Sequence, residues 1–384
     1  MDPTRLLLAT LRLGGGAAPE RLRAAWRATP TPGLERLIEF EGCALWLYRR
    51  LAQIGAAGTG GGPFTGWVAR RARDAAARNL LVDTQATDVV RTLAAHDVPH
   101  VFLKGVARRA VAQRFPFADA RATHDVDVLV PAARAEEAWL QLRAHGYELV
   151  VRGSGIRPGD FHLPPLWNDA RVAVELHTAS GPEVSPSESW RRATSGGSEL
   201  ERDGVTVRVP AATELLWHGL THAVRRRAET FRLLVLLDGA AILAAGVELD
   251  WAEIAQRLDS AEAAPAAVAR AWLAAAAQLA GAALPAALRS SPSRFDLVRA
   301  LRWRSSVLRL VPPSARLAGV LAGEGSRLDL GQEWGHPFRR ASPLRHSAQQ
   351  LRAAAARGAY RLWRAADLAP ASDGDWAGSR FFGQ

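Results

Sequence analysis

The sequence predicts an α+β fold, with a small strand-forming centre set between helical regions on either side. Two observations carry this. Strand-like stretches are confined to residues 98–103, 125–130, 147–151, 171–177 and 204–209, while the rest of the patterned chain has helical spacing. With 384 residues and 48% hydrophobic content, there is also enough apolar material for a real core and for two or three domains.

Residues 1–97 read as a helical region. Leu34, Leu37, Ile38, Leu45 and Leu51 form an apolar stripe after Pro32-Gly33. The glycine-rich run 58–63 lacks the Lys-Ser/Thr that a phosphate cradle needs, so it reads as a linker. A long helix over about 64–96 then leads into the strand at 98. Residues 98–210 form the central unit. A helix is expected over 106–114. Pro131 suits the first position of another that carries Ala135, Ala138, Trp139 and Leu142 and ends at Gly146. Residues 152–165, rich in Gly and Pro, make a loop able to cover a site. Residues 211–284 read as a helical domain. Residues 285–384 hold basic amphipathic segments broken at Pro312-Pro313 and at 323–325, with a weakly ordered tail whose Trp376, Phe381 and Phe382 could dock.

A net charge of +11 would point to polyanions, but the arginines are spread along the chain, which weakens that inference. Cys43 stands alone, so no disulfide framework exists. The start of the chain has only a short apolar run between charges, unlike a signal peptide, and no stretch nears 18 uncharged apolar residues. The expectation is a soluble, cytoplasmic protein without a membrane span.

The chemistry concentrates in two segments. Asp125 and Asp127 sit at i and i+2 within Asp-Val-Asp-Val-Leu-Val, so in a strand both carboxylates share one face and Val126 and Val128 the other. Two neighbouring acids repel unless a cation lies between them, and magnesium, which takes carboxylates together with substrate phosphates, suits the place. Upstream, Lys104 is the single lysine in a chain with 49 lysines and arginines. Its survival marks a place for a compact ammonium where a planar guanidinium would not serve. Gly105 follows at a strand-to-helix turn, where phosphate could approach backbone amides. Downstream, Ala173, Glu175 and His177 share one face of the 171–177 strand, so Glu175 would supply a third carboxylate if that strand lies beside the Asp125 strand.

These segments resemble the uncharacterised nucleotidyltransferase family of the DNA polymerase β-like superfamily. The resemblance rests on Leu103-Lys104-Gly105, Arg121, Asp125-Val126-Asp127, Gly146-Tyr147 and Glu175-Leu176-His177, and it covers roughly residues 80–260. It departs where His124 replaces the usual small residue before the first Asp, and where Phe115 or Phe117 stands for the usual tyrosine. The resemblance implies a small mixed nucleotidyltransferase sheet and metal-dependent transfer of an NMP, AMP by default, from an NTP to a hydroxyl acceptor, releasing pyrophosphate. Asp125, Asp127 and Glu175 would be catalytic and would hold two Mg²⁺ ions, while Lys104, Gly105, Arg121 and His177 would contact the nucleotide. The acceptor stays open among small molecule, peptide, protein and RNA.

Other readings compete. His162 or His177 could accept a proton, although a lone histidine is more often structural. His218 and His222 have metal-ligand spacing but no HExxH glutamate, which favours packing, and Arg225 to Arg227 could meet phosphates or cap a helix. The ligands of an HD phosphohydrolase, the kinase motifs and a Gly-x-Ser-x-Gly elbow are not evident. Two alternatives remain: a non-catalytic NTP- or RNA-binding regulatory module, and a toxin-like transferase that modifies tRNA.

Overall fold

The computed structural model describes residues 2–14, 17–28, 34–57, 62–149, 161–170, 172–181, 183–225, 232–261 and 263–289, with Val298, Leu301 and Arg302 beyond them. The linker at 58–61, most of the 152–165 loop, Arg226 and Arg227, and nearly all of 285–384 with its aromatic tail lie outside the described residues. Those described divide into two compact units. One draws on residues 2–76, 112–122 and 219–302, the other on residues 77–111 and 123–218.

The first unit is helical. Helix Pro3–Leu11 starts on Asp2, whose carboxylate accepts from the Arg5 amide at 2.9 Å, with Pro3 in the first turn where its missing N–H costs nothing. Leu6, Leu7 and Leu11 on its inner face are fully buried, as are Leu37, Ile38, Trp46, Leu47 and Leu51 of helices Leu34–Glu41 and Ala44–Gln53. Helix Leu233–Ala244 packs on helix Ala263–Ala280, and it does so closely at Gly239, where a Cβ would overlap the indole of Trp272. The buried Glu41 carboxylate accepts from the Leu233 amide at 2.6 Å, satisfying a donor that the first turn of that helix leaves over.

The second unit holds the sheet. Its strands are β1 (Val101–Phe102), β2 (Asp125–Leu129), β3 (Glu148–Leu149), β4 (Leu166–Trp167) and β5 (Ala173–His177), in the order β1-β2-β5-β4-β3. β2 and β5 run parallel, and the other pairings are antiparallel, so the sheet is mixed and the fold is α+β. β6 (Ser198–Arg202) and β7 (Val205–Val209) form a separate hairpin. Alternation works as the strand period requires: Val126, Val128, Val174 and Leu176 are buried on the face opposite the acids, each such side chain contributing about 1.5–3 kcal/mol.

The first strand is shorter than 98–103. The long helix Gly62–Ala95 ends through Asp97 in the left-handed region (φ 52°) and a bond from the Val98 amide to the Leu93 carbonyl. Pro99 has no donor, and His100 turns its ring back onto the Val98 carbonyl at 2.9 Å, so pairing begins at Val101. Pro131 precedes a short 3₁₀ turn, Ala132–Arg134, before helix Ala135–Ala144, and Gly146 follows the helix with φ 94°, a conformation open to a residue without Cβ. Among the described residues no helix is long and apolar enough to cross a membrane.

Candidate active site

The site is built on the parallel pair at the middle of the sheet. Register sets Asp125 opposite Ala173, Asp127 opposite Glu175 and Leu129 opposite His177. Because the side-chain period is two and the strands are in register, Asp127, Glu175 and His177 project from one face, and they offer ligand atoms all within 4.8 Å of one another. Asp125 shares that face one pleat back along β2 and lies outside this group of three. His162 forms an isolated antiparallel bridge with His177, held by the Leu163 amide donating to Leu176 O (2.8 Å) and the Thr178 amide donating to Phe161 O (2.9 Å). The imidazoles of His162 and His177 are 5.5 Å apart, and the Phe161 ring is 5.8 Å from His177.

Lys104 enters from the other side of β2. The Leu103 amide donates to the Asp127 carbonyl at 2.9 Å, so the chain turns into helix Lys104–Ala110 directly beside the acid. Lys104 has φ 46°, a left-handed conformation that costs a residue with a Cβ, and such outliers cluster where function fixes the backbone. Its ammonium donates to Asp127 Oδ1 and lies 3.6 Å from Glu175 Oε2. His177 Nε2 is 2.8 Å from the same Asp127 oxygen and 3.5 Å from Glu175 Oε2.

The electrostatics follow from that crowding. Burial pushes the Asp127 carboxyl up, but Lys104 and the His177 hydrogen bond outweigh it and hold the group well below the usual carboxylate range. Burial drives the Lys104 ammonium toward neutrality, and Asp127, Glu175 and Asp125 together reverse this and raise its pKa. His177 is likewise raised: burial and Lys104 oppose its charge, while Asp127 and Glu175 favour it more strongly. Glu175 falls below its ordinary value, burial being overcome by His177 and Lys104. The side chain of Asp127 is 1% exposed and that of Glu175 is 23% exposed, so Glu175 is the carboxylate of the pair that meets solvent.

Two buried atoms of the cluster, Asp127 Oδ2 and His177 Nδ1, have no hydrogen-bond partner. A buried polar atom of this kind calls for an explanation, and an ion completing the shell supplies one here. With two carboxylates and one imidazole as donors, the residues fit a hard or borderline divalent cation such as Mg²⁺ or Mn²⁺.

The cluster thus joins Lys104, Asp127, Glu175 and His177, with Asp125 near enough for its charge to act on Lys104. Gly105 is the buried second residue of the Lys104 helix. Arg121 belongs to the helical unit, where its Nε donates to both oxygens of Asp238 at 2.9 and 3.1 Å and its Nη1 to Ala122 O. His218 of helix Ala212–Arg225, one of the two histidines at metal-ligand spacing, is buried in the sheet unit, and burial first, then Lys104, His177 and Arg108, hold its pKa well below the ordinary value.

A family model described as an uncharacterised nucleotidyltransferase matches residues 32–277. Among solved structures the chain is similar to an antigenic nucleotidyltransferase-like protein from Paracoccidioides brasiliensis, with 17% identity and a TM-score of 0.30 over 43% of this chain and 77% of that one. A search of curated proteins found no match.

Proposed function

We propose that this chain, which belongs to the uncharacterised nucleotidyltransferase family, transfers an NMP from an NTP to a hydroxyl acceptor and releases pyrophosphate. ATP is the default donor. The acceptor oxygen would form a bond to the α-phosphorus as the bond to the bridging oxygen of the β-phosphate breaks. The hydroxyl proton would pass to Glu175, the carboxylate of the cluster that reaches solvent. Asp127 and Glu175, with Asp125 behind them, would hold divalent magnesium. Bound there, that ion supplies charge stabilisation to the triphosphate during in-line displacement. His177 would fix the Asp127 carboxylate through its Nε2 hydrogen bond and border the nucleotide. Lys104 would place its ammonium against the phosphates, where charge stabilisation counts most, and Gly105 would leave the backbone open to them.

The observation that carries this reading is the in-register pairing of Asp127 with Glu175 on parallel strands, with an ammonium between the two carboxylates. The test is incubation of the full chain with each α-phosphate-radiolabelled NTP, Mg²⁺ and fractionated lysate. Label should move to a discrete acceptor with wild type and not with Asp127→Asn. Full labelling by Asp127→Asn overturns the reading, and Mg²⁺-dependent NTP binding without transfer to any fraction favours the regulatory module instead.

A further inference from the structure

We propose that Lys104 is a tethered counter-ion that competes with the divalent cation for Asp127 and Glu175, so that metal entry releases the ammonium to the incoming triphosphate. The inference deepens the nucleotidyltransferase reading and rests on it for the identity of the ligand. Asp127 Oδ1 accepts from both Lys104 and His177, and Glu175 Oε2 lies 3.6 Å from the ammonium and 3.5 Å from His177 Nε2. One oxygen of each carboxylate that a metal would share is therefore already in contact with the chain's own cation. Like charges on one pair of carboxylates exclude each other, since ammonium and metal ion would share oxygens with little water between them to screen the repulsion.

The geometry gives Lys104 both an anchor and a means of leaving. Its backbone is pinned beside Asp127 through the Leu103 amide, in a left-handed conformation, so its range is set by the four-carbon side chain alone. Its side chain is 15% exposed, against 1% for Asp127, so it borders solvent while its acceptor does not. An arginine could not make this exchange in the same way, because its broad planar fork binds two carboxylate oxygens at once, whereas an ammonium is a compact group on a flexible stem. That argument offers a reason for a lone lysine in a chain whose other basic residues are all arginine.

Because Lys104 is the single lysine, an amine-selective acetylating reagent reports on it directly, the α-amino group being the other amine. The full-length wild-type protein would be acetylated with and without Mg²⁺, and the rate at Lys104 followed by mass spectrometry of its peptide. We expect Mg²⁺ to raise the rate at least ten-fold and added NTP to suppress it again. In Asp127→Asn the rate should be high already and indifferent to Mg²⁺. A parallel Mn²⁺ titration by calorimetry should show at least ten-fold tighter binding to Lys104→Met than to wild type, with Lys104→Arg close to wild type. Mn²⁺ bound by wild type with no change in Lys104 acetylation, or with affinity no tighter in Lys104→Met, overturns the competition while leaving the metal site intact. No Mn²⁺ binding by either protein overturns the competition and the metal-dependent reading together.

Discussion

Two buried charge clusters, one in each unit, bring out what distinguishes a working site from a structural pair. In the helical unit Arg121 meets Asp238: one guanidinium, one carboxylate, with the Nε hydrogen spanning both oxygens and a second nitrogen on a backbone carbonyl. In the sheet unit, Asp127 receives the Lys104 ammonium and the His177 imidazole on one oxygen while its other oxygen has no partner, and a residue with a Cβ holds a left-handed backbone beside it. The first arrangement matches its groups locally. The second concentrates charge on one atom and leaves another unfilled, which is how a site prepared for a ligand differs from a closed one.

The comparison can be broken most forcefully at Asp127. Asp127→Ala strands the Lys104 ammonium and leaves His177 Nε2 without its main acceptor in a buried place, which should cost about 3–5 kcal/mol in urea unfolding and abolish nucleotidyl transfer. Arg121→Met should lie near the low end of that range, about 3 kcal/mol, because it removes the guanidinium from a buried carboxylate. Here the double variant Arg121→Met/Asp238→Leu should recover most of the loss, as an apolar replacement of a matched pair often does; failure to recover would mean that the pair is more than structural. Glu175→Gln sharpens the contrast from the other direction. Its side chain reaches solvent, so stability should change by less than about 1 kcal/mol while transfer falls about 100-fold. A loss of both in parallel would place Glu175 with the structural acids.

The smallest effect belongs to an ion cluster at the surface. Arg191 and Arg192 hold the Glu188 carboxyl down at about 2. A group whose folded pKa is depressed adds stability that is present above its unfolded value, roughly 4.3, and lost as pH falls through the folded one. Melting curves of wild type and Glu188→Gln should therefore differ by a small constant amount above about pH 5 and converge toward pH 2. A difference that widened on acidification would reverse the sign and refute the assignment.

Much of this was legible in the residues themselves. The i, i+2 spacing of Asp125 and Asp127 and of Glu175 and His177 fixes which face each pair occupies, since strand parity is local. The Lys104-Gly105 turn, the helix after Pro131 and its end at Gly146 follow from backbone chemistry. The pairing of β2 with β5 is not local: it joins residues 48 apart, as Asp127 with Glu175, and nothing in either strand names the other as its neighbour. The left-handed conformation is equally hidden, because it falls on Lys104 and not on Gly105, where glycine's freedom would have suggested it. The partner of Arg121 lies 117 residues away, so the contact of its guanidinium with Asp238 could not be read from the local sequence. The shortened β1 was readable in principle, since Pro99 announces a missing donor.

The parallel alignment of β2 and β5 has a consequence during synthesis. A growing chain carries Asp127 long before the ribosome adds Glu175, and the crossover between them must fold before the two can become neighbours. Until then only one of the two facing carboxylates is present. The proposed activity would therefore switch on late, as a property of the finished sheet, and a prematurely terminated fragment ending before residue 173 should transfer nothing.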